Sequence, residues 1–86
     1  MGYRPTIDEA KDFVNKIARD VDPAVECIFP DASGEEWFRR DVLPVRFRKN
    51  GKTSQESTIV TIEDVVFDIE RHHQTKDKIK KAIAIL

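Results

Sequence analysis

L-P-V-R-F-R-K-N-G-K-T-S-Q-E-S-T-I-V-T, residues 43–61, decides how this chain folds. Leu43, Val45 and Phe47 alternate with Arg46 and Arg48, the two-residue period of a half-buried strand. Pro44 cannot donate to a ladder, which places this strand at an edge or starts it there. Asn50-Gly51 is the dipeptide favoured in a two-residue hairpin turn. Such a turn would set Phe47 opposite Ser54 and Val45 opposite Glu56, laying an apolar face beside polar residues. Residues 48–58 also hold no large apolar side chain. The expectation is a hairpin with a mobile loop over 48–58 and a short strand resuming at Thr58 to Thr61.

Before this stretch lies T-I-D-E-A-K-D-F-V-N-K-I-A-R-D-V, residues 6–21. Ile7, Ala10, Phe13, Val14, Ile17, Ala18 and Val21 recur at helical steps. Thr6 with Glu9 forms a capping-box pattern, and Asp22-Pro23 ends the helix. A-V-E-C-I-F-P, residues 24–30, has strand spacing and is closed by Pro30 and the turn residues D-A-S-G. For E-E-W-F-R-R-D-V-L two readings compete. Ser33 with Glu36 could cap a short helix, but the aromatics favour a second strand ending near Val42, and that is the expectation.

After the hairpin the chain is helical. Thr61 with Asp64 fits a cap, followed by Ile62, Val65, Val66 and Ile69 at helical spacing. Ile79, Ala82, Ile83 and Leu86 form a second apolar set. The gap falls on R-H-H-Q-T-K, residues 71–76, so two helices meeting near 72–75 with Thr75 as N-cap are expected, one long bent helix being the alternative. Together the elements give a single small α+β domain over residues 1–86. It has an N-terminal helix, two to three antiparallel strands, and one or two C-terminal helices packed on one face of the sheet. The order helix–three strands–helix resembles the double-stranded-RNA-binding domain in topology. That family has a glycine-rich turn leading into a lysine-rich last helix. Here T-I-V-T-I-E-D-V-V-F-D, residues 58–68, puts acidic residues where basic ones are needed, so no family membership follows.

Charge is segregated. Residues 1–38 hold four basic and nine acidic groups, net −5, and residues 39–52 hold six basic and one acidic, net +5. Residues 53–70 hold five acidic groups alone, net −5, and residues 71–86 hold five basic and one acidic, net +4. The overall −1 therefore conceals local patches, unless acidic and basic segments face one another in the fold. No apolar run approaches a membrane span of roughly 20 residues, and M-G-Y-R-P-T lacks the apolar core of a secretion signal. A single cysteine, Cys27, suits a reducing cytoplasm.

Few motifs carry chemistry. His72 and His73 are adjacent, so on a helix they point about 100° apart and cannot share one ion. Glu70 with His73 gives only half of a di-iron spacing. Gly51-Lys52-Thr53 lacks the earlier glycine of a phosphate loop, whose place is held by Arg46. Cys27 lies in an apolar strand, where thiols are usually inert. No enzymatic activity, cofactor or metal is expected.

The function expected is a small non-enzymatic protein-binding or regulatory module. Its candidate surface is Trp37 as anchor with Arg39, Arg40, Arg46, Arg48, Lys49 and Lys52 around the hairpin. The alternative is RNA or DNA binding by the same block joined by Lys76, Lys78, Lys80 and Lys81. Weak self-association through the edge strand is a third route.

Overall fold

The computed structural model describes residues 4–86, so the first three residues of the M-G-Y-R-P-T start lie outside the described residues. The element order is α1 (Ile7–Val21), β1 (Glu26–Ile28), α2 (Ser33–Arg40), β2 (Val42–Lys49), β3 (Lys52–Thr53), β4 (Thr58–Thr61), α3 (Ile62–Val66) and α4 (Asp68–Ala84). An antiparallel four-stranded sheet carries its helices on one face, the α+β arrangement expected. Val14 and Ile17 of α1, Leu43, Val45 and Phe47 of β2, Val60 of β4, and Ile79 and Ile83 of α4 form one buried core. No helix of the described residues is long and apolar enough to cross a membrane.

Both capping boxes form. Thr6 Oγ1 accepts the Glu9 amide at 3.2 Å while Glu9 Oε1 accepts the Thr6 amide at 3.0 Å. Thr61 and Asp64 repeat the exchange at 3.2 and 3.0 Å. Each satisfies backbone donors that a helix start leaves unpaired.

The hairpin turns in two residues. Arg48 faces Thr53 and Lys49 faces Lys52, with Asn50 at φ 54° and Gly51 at φ 79°. Two positive φ values make a type I′ turn, which Asn-Gly adopts at low cost. The Ser54 amide donates to the Phe47 carbonyl, so Phe47 does stand opposite Ser54. The feared mismatch is avoided because Val45 pairs with Thr58, not Glu56. Two extra residues in the 54–57 segment shift the register, and Leu43 meets Val60 on the buried face. The excursion expected over 48–58 is thus confined to 54–57, and β3 and β4 are two pieces of one interrupted strand.

Three further expectations are corrected. Residues 33–40 are helical, not a strand, and Ser33 is buried with its hydroxyl directed to the Pro44 carbonyl at 3.4 Å, so it does not cap. Glu35 with Arg39 and Glu36 with Arg40 make i,i+4 ion pairs that support the helix. The strand bearing Arg46 and Arg48 is central: β1 pairs with it over 46–48, and β3 and β4 pair along its other side. Pro44 sits where β1 has already ended, on the side to which α2 contributes Ser33. Finally, α4 runs unbroken through residues 72–75, and the joint between the last two helices is at Phe67. Thr75 is an interior residue, fully buried, whose hydroxyl donates to the Arg71 carbonyl at 3.2 Å. The short α2 between the first two strands also breaks the helix–three strands–helix order.

Candidate functional site

The basic block is largely neutralised within the fold. Arg48 pairs with Glu26, directly opposite on β1, at 2.7 Å, and Lys49 pairs with Asp22 at 2.5 Å. Lys76 reaches Asp20 on α1 at 2.6 Å. Arg39 and Arg40 pair along α2 as described. Acidic and basic segments therefore do face one another. These bonds from Lys76 and Lys49 hold the Asp20 and Asp22 carboxyls below their ordinary range. Among the described residues Arg46, Lys52, Lys80 and Lys81 make no ion pair.

Two of the expected contact residues are structural. Trp37 is only 4 % exposed, and its indole N–H donates to the Pro5 carbonyl at 3.2 Å. Arg4 lies over the ring at 5.8 Å, donates to the Trp37 carbonyl at 2.9 Å and pairs with Asp41. The tryptophan thus straps the segment before α1 onto α2 and has no face for a partner. Lys78 is the second. Its ammonium donates to Asp64 and to the Ile59 carbonyl, both at 3.0 Å. Asp64 is buried and also accepts from Arg71 Nε at 3.0 Å and from the Thr61 amide. Burial pushes the Asp64 pKa up, but the Thr61 amide, Lys78 and Arg71 outweigh it and hold the carboxyl below its ordinary value. This cluster ties β4 to the last two helices.

Burial raises the Cys27 thiol to about 11, so it stays protonated at neutral pH. His72 Nδ1 lies 3.1 Å from Asp68, one helical turn away. Among the described residues no group of three or more His, Cys, Asp or Glu gathers closely enough to hold a metal ion.

What the structure does present is an apolar ridge. At the joint between α3 and α4, Val66 is 41 %, Phe67 49 % and Ile69 97 % exposed. Val66 and Ile69 fit the helical period and read in the sequence as core, whereas Phe67 lies outside that apolar set. Between Val66 and Ile69 the helix breaks at Phe67, whose φ −100° and ψ 38° leave the helical region. Ile69 stands in the first turn of α4. Glu63, Asp68 and Glu70 flank these residues in the sequence. Asp68 is engaged by His72, Glu63 lies 4.0 Å from Arg71, and Glu70 has no ion-pair partner among the described residues.

A second feature lies at the other end of α4. Residues 52–58 and the last turn of the helix enclose a groove of about 750 Å³, with Lys52 and Lys81 among its lining residues. A neighbouring hollow of about 510 Å³ is lined in part by Lys49, Asn50, Lys52 and Lys80. The hairpin tip and the C-terminal lysines are thus brought together, whereas Arg39, Arg40, Lys76 and Lys78 line neither hollow.

No protein family, curated protein or solved structure matches this chain at a significant level.

Proposed function

We propose that the chain is a non-enzymatic protein-binding or regulatory module that engages its partner through Val66, Phe67 and Ile69. The observation that supports this most strongly is the exposure of Ile69 beside a half-exposed Phe67. Burying one such side chain is worth about 1.5–3 kcal/mol, and here that gain is left for a contact outside the chain. The acidic rim selects for an apolar surface flanked by basic residues. A reducing cytoplasm fits the single cysteine.

A synthetic leucine–lysine amphipathic helix is the probe for this reading. Titrated into the labelled chain, it is expected to shift amide signals over residues 63–71 and leave the hairpin tip unmoved. Ile69→Asp is expected to weaken the complex at least about tenfold, following the burial of one aliphatic side chain. Shifts spread evenly over the surface, or an unchanged affinity in that variant, count against the ridge.

One observation favours a second reading, nucleic-acid binding. Lys49, Lys52, Lys80 and Lys81 gather around the hairpin tip. Phosphate contacts there would give affinity for short duplex RNA or single-stranded DNA that falls steeply with salt. The pairing of Lys49 with Asp22, and of most of the basic block with acidic residues, makes this the weaker reading.

A further inference from the structure

We infer that the ridge has a complementary surface on the chain itself, and that the ridge of one copy docks head to tail in the groove at the far end of α4 in a second copy. The inference rests on the ridge being a protein-binding surface and names what covers it.

The groove answers the ridge in both polarity and charge. Its apolar lining is Ala82, Ile85 and Leu86, and Ile85 is 79 % exposed. Lys52 and Lys81 supply positive charge that forms no ion pair among the described residues, while Glu56 is the one acidic side chain of its lining. Its volume of about 750 Å³ is in the range that receives bulky side chains. An apolar, acidic ridge thus meets an apolar, mainly basic hollow.

The two surfaces cannot satisfy one another within one copy. Ile69 and Ile85 are sixteen positions apart, roughly 24 Å along a helix at 1.5 Å per residue. That is about three Debye lengths at physiological salt, so each patch keeps its own potential. A two-fold dimer with ridge against ridge offers no lysine to Glu70, the flanking carboxylate that has no ion-pair partner among the described residues. The remaining arrangement is heterologous: each added copy leaves one free ridge and one free groove.

Sedimentation velocity on the full chain, over a range of concentrations at low and moderate salt, tests this. Two variants at exposed positions are needed, Ile69→Asp to remove the ridge and Lys52→Glu with Lys81→Glu to reverse the groove. Circular dichroism checks that both are folded. The wild-type chain is expected to sediment faster as concentration rises, and less so with added salt. Each variant alone is expected to stay monomeric. Mixed, they are expected to form a one-to-one dimer and nothing larger, since one brings an intact groove and the other an intact ridge. A mixture that stays monomeric while the wild type associates would overturn the head-to-tail contact. So would a variant that associates alone as the wild type does. A wild type monomeric throughout, with residues 63–71 still shifted by the leucine–lysine helix, overturns self-docking and leaves the protein-binding reading standing. Absence of both effects removes the two together.

Discussion

Ser54 takes the Phe47 amide on its hydroxyl oxygen at 3.0 Å and returns its own amide to the Phe47 carbonyl at 2.8 Å. The strand leaves the sheet at this residue, so the carbonyl that would continue the ladder is replaced by a side chain. A buried polar residue opposite a core phenylalanine is thereby satisfied.

Ser54→Ala is accordingly expected to strand the Phe47 N–H in the core. Leaving one buried donor unpaired costs about 1–3 kcal/mol. Urea denaturation should show a lower midpoint with an unchanged slope. A variant as stable as the wild type would mean that water reaches this amide.

Asp64 contributes to the acid limb of stability, alongside Asp20 and Asp22. Its folded pKa lies below the ordinary aspartate value, so the unfolded chain takes up the proton more readily. The stabilisation is full above the unfolded value and is lost as pH falls through the folded one. Asp64→Ala removes a helix cap, worth about 1 kcal/mol, together with two ion pairs to half-exposed cations, for a total of roughly 2 kcal/mol or more. Its stability should also fall less steeply than that of the wild type below pH 4. Equal acid slopes in the two proteins would place the sensitive carboxylate elsewhere.

Cys27 offers a kinetic readout of the same fold. With the thiol raised to about 11, iodoacetamide at neutral pH should alkylate the folded chain far more slowly than the urea-unfolded one. The rate should climb with pH without a plateau near 8 or 9. Rapid labelling of the native chain at pH 7 would contradict the burial of β1 against β2.

Two isoleucines of α4 should respond very unequally to truncation. Ile79→Ala removes a fully buried side chain and is expected to cost about 2–5 kcal/mol. Ile69→Ala touches an almost fully exposed one and should stay within about 0.5 kcal/mol. Thermal unfolding distinguishes them, and a large loss at Ile69 would show that the ridge packs inward.

The elements that the sequence makes legible are those whose local signals agree. In α1 the period, the cap and the Asp22-Pro23 stop all point the same way, and in β2 the alternation and Asn50-Gly51 do so too. Residues 33–40 mislead because D-A-S-G and two aromatics suggest a strand, while the quieter pairing of Glu35 with Arg39 and Glu36 with Arg40 carries the helix. Residues 71–76 mislead for the converse reason. Their polar run looks like a gap, yet Thr75 stays helical by bonding back to the preceding turn.

The candidate site is harder to read than the fold. Charge segregation is visible in the sequence, but which cations are consumed depends on register, as with Glu26 opposite Arg48. Ile69 has the spacing of a core residue, yet in the first turn of α4, beside the break at Phe67, it is almost fully exposed. Trp37 is the reverse case, a residue with the chemistry of an interface anchor that the chain spends on its own N-terminal strap.

The two residues gained between Ser54 and Thr58 also make the hairpin a natural grafting port. An even offset leaves every inward side chain inward, so β4 keeps its partners on β2 whatever happens beyond Phe47. The turn between Lys49 and Lys52 can then be exchanged or lengthened as a cassette, at a loop-closure cost of about 0.6 kcal/mol for each doubling of its length, provided that Ser54 keeps its bond to the Phe47 amide.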